Sequence, residues 1–267
     1  MKPTQNLPRL AALILILGLM VPGTTTAHAE NPIPIKVAGF AGKVTIRGPD
    51  GKATRVEKGA DVSVGSTVST GPNSWLDLAQ GDLSKIRVQP KTQSFTIVRS
   101  TLDPKTNHSN SHFNLKNGTV IASANKGAIT QGSRYQIQTP EMIARVQGSS
   151  LQLTHGPNGT TAIKITGSIT LNINGQEGQA PSGQATVVLP NGTTQTVTLP
   201  LAVQQLLEDI SASVQSTTPP TQQQLQQQLN ALTSALNQVL GAANLPGLDT
   251  ITSATTTTSP EQNPYQK

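Results

Sequence analysis

Cysteine is absent from all 267 residues. That excludes disulfide frameworks, thiol nucleophiles, Cys-ligated zinc and iron–sulfur clusters. Aromatic residues make up 2% of the chain, and Trp75 is the single tryptophan. So few rings cannot supply the stacking platforms of a single-strand channel, and no nucleic-acid partner is expected. Charged residues are 12%, about half the roughly 25% of an average soluble domain. No apolar run reaches the length of about 18 residues that a membrane-spanning helix needs, so the mature chain is not expected to span a bilayer as a helix.

The longest apolar run is Leu10 to Val21. At 1.5 Å per residue it reaches ~18 Å, against a hydrocarbon core of ~30 Å. Lys2 and Arg9 precede it, Pro22-Gly23 break it, and Ala27-His28-Ala29 gives a small-x-small site before Glu30. This is the layout of a cleaved secretory signal peptide over 1–29. The expected location is therefore the periplasm, cell surface or exterior of a bacterium. No Cys follows the apolar run, so a lipid anchor on a mature N-terminal Cys is excluded.

Charge is uneven along the remainder. Residues 30–164 hold 16 basic and 8 acidic residues, whereas 165–267 hold one basic residue and five acidic ones. The basic side chains sit singly at alternate positions, as in Lys85-Ile86-Arg87 and Lys43-Val44-Thr45-Ile46-Arg47. That spacing reads as the solvated face of half-buried strands, and a face meeting an acidic polymer is the weaker reading.

From Ile35 to Leu199 apolar residues recur with period two. Trp75-Leu76-Asp77-Leu78, Leu83 to Val88, Ser94 to Arg99, Tyr135 to Gln138, Leu151 to Thr154, Ile163 to Thr166 and Ile169 to Ile173 all alternate. Each reads as a strand with one buried face. Turn signals separate them, including Asn117-Gly118, Asn158-Gly159, Asn174-Gly175 and Asn191-Gly192, which suit tight hairpins. Three of these are also Asn-Gly-Thr sequons, which turn geometry alone explains. The polar stretch Thr101 to Ser111 reads as an exposed loop. The expected fold class is mainly β: an antiparallel all-β domain over 33–199, closed as a sandwich or wound as an elongated roll or solenoid.

The period changes at Pro200. Val203, Leu206, Leu207, Ile210 and Val214 lie on one face of a helix, with Pro200 suited to its first turn. After Thr217-Thr218-Pro219-Pro220, a second helix places Leu225, Leu229, Leu232, Leu236 and Val239 at alternating steps of four and three, with Gly241 as its stop. The expected arrangement over 200–241 is a short helical hairpin, separable from the β-domain. Its apolar seam either packs within the chain or associates with a second copy into a homo-oligomer. Residues 242–267, rich in Thr with Pro260 and Pro264, read as a disordered tail.

No catalytic constellation is present. There is no Gly-x-Ser-x-Gly elbow and no phosphate-binding glycine loop. His108 and His112, if on a strand, stand ~13 Å apart by strand rise, too far for one ion. No catalytic residue, metal or cofactor is expected. The apolar positions Val146 and Leu151 differ by an odd number, so both reach one core only if an extra residue is inserted near Gly148.

An ordered set of segments resembles the FecR-type periplasmic domain family. The set opens with Gly39-Phe40-Ala41-Gly42-Lys43-Val44. It continues with Val68-Ser69-Thr70-Gly71-Pro72-Asn73-Ser74, Leu83 to Thr92, and Leu115-Lys116-Asn117-Gly118-Thr119-Val120. Most specific is Ile137-Gln138-Thr139-Pro140-Glu141-Met142-Ile143-Ala144-Arg145-Val146-Gln147-Gly148-Ser149, similar to the family's Thr-Pro and Arg-Gly-Thr signatures. The residues matching family motifs are Thr70, Gly71, Ser74, Gly118, Thr139, Pro140, Val146, Gly148 and Ser149. Gln147 stands where the family has Arg, and Ser149 where it has Thr. Gln cannot replace the bidentate contacts of Arg.

The resemblance implies an exported binding or interaction module for an envelope protein or polymer. Family regulators carry a cytoplasmic segment before an uncleaved membrane helix, whereas nine residues precede the apolar run here, so direct sigma-factor control is not expected. The alternative is a self-assembling surface protein built on the Leu225–Val239 seam. A polysaccharide hydrolase is disfavoured by the scarcity of aromatics.

Overall fold

The alternating segments form strands in the computed structural model, which describes residues 30–216 and 221–245. The expected signal peptide, the Thr217–Pro220 break and most of the expected tail lie outside the described residues. The chain begins with β1 (Asn31–Pro32), β2 (Ile35–Ala41), β3 (Val44–Arg47), β4 (Ala53–Thr54) and β5 (Thr67–Thr70). β6 (Trp75–Gln80), β7 (Ser84–Val88) and β8 (Ser94–Leu102) follow. Next come the long strand β9 (Ser109–Ala124), the short β10 (Arg134–Gln138), and two more long strands, β11 (Met142–Gly156) and β12 (Gly159–Ile173). β13 (Gln176–Gln179), β14 (Gln184–Val188) and β15 (Thr194–Thr198) lead into the helices α1 (Leu201–Gln215) and α2 (Gln222–Ala242).

All the strands belong to one hydrogen-bonded sheet, folded over into two layers by its three long strands. The N-terminal half of β9 pairs with β8 and β10, and its C-terminal half with β7 and β11. β11 pairs with β10 and then with β9, keeping β12 on its other side throughout. β12 pairs with β14 early and β13 late. One layer therefore holds β3, β5, β8 and β10. The other holds β2, β6, β7, β14 and β15, and β9, β11 and β12 run through both. The result is a sandwich made from a single bent sheet, not stacked coils. It is also mixed, because β10 runs parallel to β9, a departure from the purely antiparallel expectation.

Apolar residues of both layers meet in one core that includes Phe95, Phe113, Ile137, Val120, Leu151 and Ala162. Phe95 and Phe113 stack with ring centroids 5.6 Å apart, and Tyr135 tilts against Phe113 at 5.5 Å. Gln80 spans the layers by donating from Nε2 to Ser100 Oγ and Ser111 Oγ, each at 2.7 Å.

The long strands bend where the odd apolar spacing demands it. The β11–β12 register shifts between Gln147 and Leu151, and Val146 and Leu151 both lie fully buried in the shared core. Gly148 takes φ +58°, and a Cβ there would stand 3.1 Å from Lys126 Cα. Asn117-Gly118 is not a hairpin turn as expected but lies inside β9. Gly118 has φ +128°, and a Cβ would fall 2.5 Å from Thr92 Cα. The exposed loop expected over Thr101 to Ser111 is much shorter, because β8 and β9 extend into it and Ser109 and Ser111 are buried.

The helices cover the outer face of the second layer. Val203, Leu207, Ile210 and Val214 of α1 join Leu225, Leu229, Leu232, Leu236 and Leu240 of α2. They pack on Trp75, Ile121, Ile163, Ala185 and Val187 of the sheet in a second core. The hairpin is thus a third layer, contrary to the expectation that it is separable. The Leu225–Val239 seam is spent inside the chain: its four leucines are buried and Val239 is partly buried against the same core. Self-association through that seam therefore has no exposed surface to use.

Pro200 is the N-cap of α1 rather than its first helical residue. A capping box between Thr221 and Gln224 opens α2, satisfying two otherwise unpaired amides. Gly241 does not end α2, which runs to Ala242 and closes where Asn244 takes φ +55°. Leu245 then donates to Leu240 O at 2.9 Å and is buried, so the expected tail begins with ordered residues.

Two basic residues expected on a solvated face do something else. Lys85 Nζ donates to the carbonyls of Gln215 and Ser216 at 3.0 and 3.3 Å, a cation at the negative end of α1. Arg87 is wholly buried beneath the same helix. Lys36, Arg55 and Arg145 are tied to Asp61, Glu57 and Glu177, so they do not form one free basic patch.

Candidate functional site

The residues that match the family motifs hold the fold together. Thr70 Oγ1 donates to Gln89 O at 2.5 Å and accepts from Thr92 N at 3.1 Å. Gly71 exchanges backbone bonds with Lys43 O and Lys91 N. Ser74 Oγ accepts from Lys43 N at 2.8 Å and donates to Pro72 O at 3.0 Å. Thr139 Oγ1 accepts from Met142 N at 3.2 Å, closing the turn around Pro140 between β10 and β11.

Ser149 Oγ accepts from Gln147 N at 3.1 Å and donates to Ser168 O at 2.8 Å, so its hydroxyl pins the Gly148 bulge. Two substitutions check this arrangement. Gly148→Val should cost about 1–3 kcal/mol through left-handed strain and the Lys126 approach. Ser149→Ala should cost about 1 kcal/mol for the lost hydrogen bonds. Urea melts of both variants measure the two losses, and a wild-type midpoint for either would remove its share of the bulge account.

One buried polar cluster was not legible in the sequence. Thr160 Oγ1 lies 2.5 Å from Glu141 Oε2, 2.9 Å from Thr139 Oγ1 and 2.9 Å from His155 Nδ1. His155 Nδ1 is also 3.0 Å from Glu141 Oε2. The residue types suggest a hydroxyl–imidazole–carboxylate relay, but the geometry does not. A relay needs the hydroxyl and the acid on opposite ring nitrogens, and here both meet Nδ1. Thr160 is also fully buried, out of reach of a substrate.

Burial pushes the His155 pKa below its ordinary value, and the Glu141 carboxylate pulls against that shift. With the folded value depressed, the unfolded chain binds the proton more readily below about pH 6.5. Stability should therefore fall as pH drops through that value. His155→Asn should flatten the decline in denaturant midpoint between pH 7 and pH 5, and an unchanged slope would assign it elsewhere.

The two histidines four apart do not converge. His112 Nε2 is 3.0 Å from Gln138 Oε1, and His108 covers Gly132. Among the described residues, no three His, Asp or Glu side chains are grouped to hold a metal.

A further feature lies between the sheet and α2. A cavity of about 430 Å³ opens there. Gln89, Thr119 and Gln152 of the sheet line one side, and Gln226, Asn230 and Thr233 of α2 line the other. β9 positions the sheet side: Gln89 N donates to Thr119 O at 2.9 Å, and Gln152 pairs with Ile121. Gln89 and Gln152 are 7% and 2% exposed. Gln89 Nε2 and Gln152 Oε1 nevertheless have no hydrogen-bond partner. Leaving such an atom buried and unpaired costs about 1–3 kcal/mol. Lys91 is the one charged residue lining the cavity, and Pro90, Leu229 and Leu232 supply its apolar surface. In the sequence, Gln89 and Gln152 look like any polar residue at an outward strand position.

Residues 66–170 match the family model described as FecR protein. No curated protein matches the chain. Two crystal structures of a candidate anti-sigma factor from Parabacteroides distasonis are similar to it. One shows 9% identity and a TM-score of 0.42, covering 52% of this chain and 63% of that one. The other shows 8% identity and a TM-score of 0.41, covering 52% and 62%. The similarity spans less than two thirds of either solved chain.

Proposed function

We propose that this chain, whose residues 66–170 are a FecR-type segment, is an exported, non-enzymatic module that binds a protein or polymer of a bacterial envelope. The observation that carries the reading is the cavity between the sheet and α2, lined by amides, hydroxyls and the single cation Lys91. Such a lining favours a polar ligand rich in hydrogen-bonding groups. The non-enzymatic reading draws on the hydroxyls: Ser149 is engaged in the bulge, and Thr160 is sealed from solvent. Export draws on the apolar run, its basic flank and the Ala27-His28-Ala29 site.

The test uses protein recovered from the producing cell. N-terminal sequencing should begin at Glu30, and the protein should sediment saturably with isolated envelopes. Protease treatment of the envelopes abolishes sedimentation if the partner is a protein and spares it if the partner is a polymer. A retained Met1 would remove export. Failure to saturate any envelope fraction would remove the binding role.

A further inference from the structure

The bent sheet ends in several edge strands, and one of them differs from the rest. The loop 59–62 bonds along the first half of β2, and a bulge between Val37 and Gly39 bends the remainder. β1 is two residues long and ends in Pro32, and β4 is two residues long between Lys52 and Arg55. β13 carries Glu177, tied to Arg145. Shortness, proline, bulges and charge are the usual means of keeping an edge from pairing with another chain. β15 has no proline, no charge and no bulge, and it is five residues long. Its strand partner is β14 alone. Leu199 N donates to Gly183 O at 2.8 Å beyond one end of that ladder, and Leu189 N to Thr193 O at 2.9 Å beyond the other. Bonds of an antiparallel pair alternate along the strand, so Gln195 and Val197 bond to β14. Thr194, Thr196 and Thr198 therefore turn their backbone N–H and C=O groups outward. Among the described residues nothing pairs with those groups.

This edge is complementary to itself. Laid antiparallel about a two-fold axis through Thr196, two copies match Thr196 with the partner's Thr196, and Thr194 with the partner's Thr198. Each matched pair exchanges two backbone bonds, so all three outward residues of both chains are satisfied. The register is specific. Moving the centre to Val197 sets Pro200, which lacks an N–H, opposite Thr194. Moving it to Gln195 sets Gly192, whose N–H is spent on Leu189 O, opposite Thr198. The side chains agree with the pairing. Val197 packs in the core beneath the helices, and Thr194 and Thr196 border a cleft toward β13. An axis normal to the sheet keeps the helices of both copies on one face and sets threonine against threonine on the other, a favourable cross-strand pair. Without charge in β15, no like charges oppose when the edge meets its copy. Leu201, just beyond the strand, is 69% exposed, more than any other large apolar side chain described, and adds apolar surface at the rim. We propose that the chain forms a two-fold dimer by pairing β15 with β15 of a second copy. The surface is this edge and not the leucine seam, which is spent inside the chain. Because the contact uses one patch on both copies, it closes and does not grow into a filament. A five-residue edge is small against the roughly 800 Å² per partner of a standard interface, so the dissociation constant should lie in the micromolar range. The inference stands apart from the envelope-binding reading.

The absence of cysteine lets single substitutions report the register. Directly opposed residues of a bonded pair have Cα atoms about 5.5 Å apart, a separation that a disulfide spans. Oxidised Thr196→Cys should therefore give a covalent dimer. Thr194→Cys should not link to itself, because its two copies are offset by four residues, about 13 Å. Mixed with Thr198→Cys, it should link to that variant. Sedimentation velocity of the full exported chain should show a dimer that grows with concentration. Thr196→Lys, at an exposed position whose N–H faces away from β14, should raise the dissociation constant at least tenfold with an unchanged melting temperature. A monomer at every concentration would overturn the proposal. So would wild-type dimerisation of Thr196→Lys, or a Thr194→Cys chain that links to itself as readily as Thr196→Cys does. A monomer whose melting temperature falls in Thr196→Lys would mean that the edge is filled from within the chain, and one whose envelope sedimentation is lost in that variant would give the edge to an envelope protein. Either result replaces the second copy as occupant. If the chain is monomeric and the variant sediments with envelopes as the wild type does, the dimer falls and the binding-module reading stands.

Discussion

A chain ended at Leu199 should lose its cooperative melting transition and aggregate, although every strand is retained. The reason lies on the outer face of the second layer. Trp75, Ile121, Ile163, Ala185 and Val187 are buried there only because α1 and α2 cover them. Exposing the large members of that set forfeits about 1.5–3 kcal/mol per side chain, which together reaches the stability of a whole domain, about 5–15 kcal/mol. The truncation also removes Ser213, which accepts from Arg87 Nη1 at 2.6 Å, and opens the Asp77–Arg87 pair to water. Circular dichroism and size exclusion of the shortened chain measure the outcome. A soluble monomer with a single sharp melt would show that the two-layer sheet is self-sufficient.

The sequence made the strands legible because their apolar residues alternate, and the helices because the period changes at Pro200. The bend of the sheet was half legible. Val146 and Leu151 differ by an odd number, and so do Leu115 and Val120, and Ala162 and Ile169. All six lie in the same core, and each pair brackets a glycine with positive φ, Gly148, Gly118 and Gly167. The first of these was readable. The other two were masked by an Asn-Gly pair that looked like a hairpin and by the sheer length of β12.

The third layer was illegible for a different reason. A strand residue facing a helix and one facing water occupy the same outward position in the pattern, so Lys85 and Arg87 could not be told from solvated charges. The cavity shares that ambiguity. Gln89 and Gln152 become exceptional only when α2 buries them, and no spacing in the sequence records that event.

Arg87 shows how much hangs on that hidden layer. Its Nε and Nη2 donate to Asp77 Oδ1 and Oδ2, both at 2.7 Å, and its guanidinium carbon sits 5.2 Å from the Trp75 ring centre. The arginine side chain is 0% exposed and the Asp77 side chain 8%. Arg87→Met should destabilise the protein by about 3–5 kcal/mol, because it leaves a buried carboxylate without its counter-charge. Asp77→Leu should be comparably harmful by stranding the guanidinium. The double variant should recover most of the loss, since a buried ion pair replaced by apolar residues of similar volume is often close to neutral.

The pH dependence identifies the cause. Burial pushes the Asp77 pKa above its ordinary value, and Arg87 opposes that push. Without Arg87 the shift grows. A carboxyl with a raised folded pKa binds its proton more tightly folded than unfolded, so its contribution to stability is present at low pH and is lost as pH rises through the folded value. The deficit of Arg87→Met relative to the wild type should therefore be smaller at pH 5 than at pH 8, and the double variant should show no such difference. Urea titrations at the two pH values decide the matter. A deficit independent of pH would mean that Arg87 acts through its packing against Trp75 and its bond to Ser213, and not through the charge of Asp77.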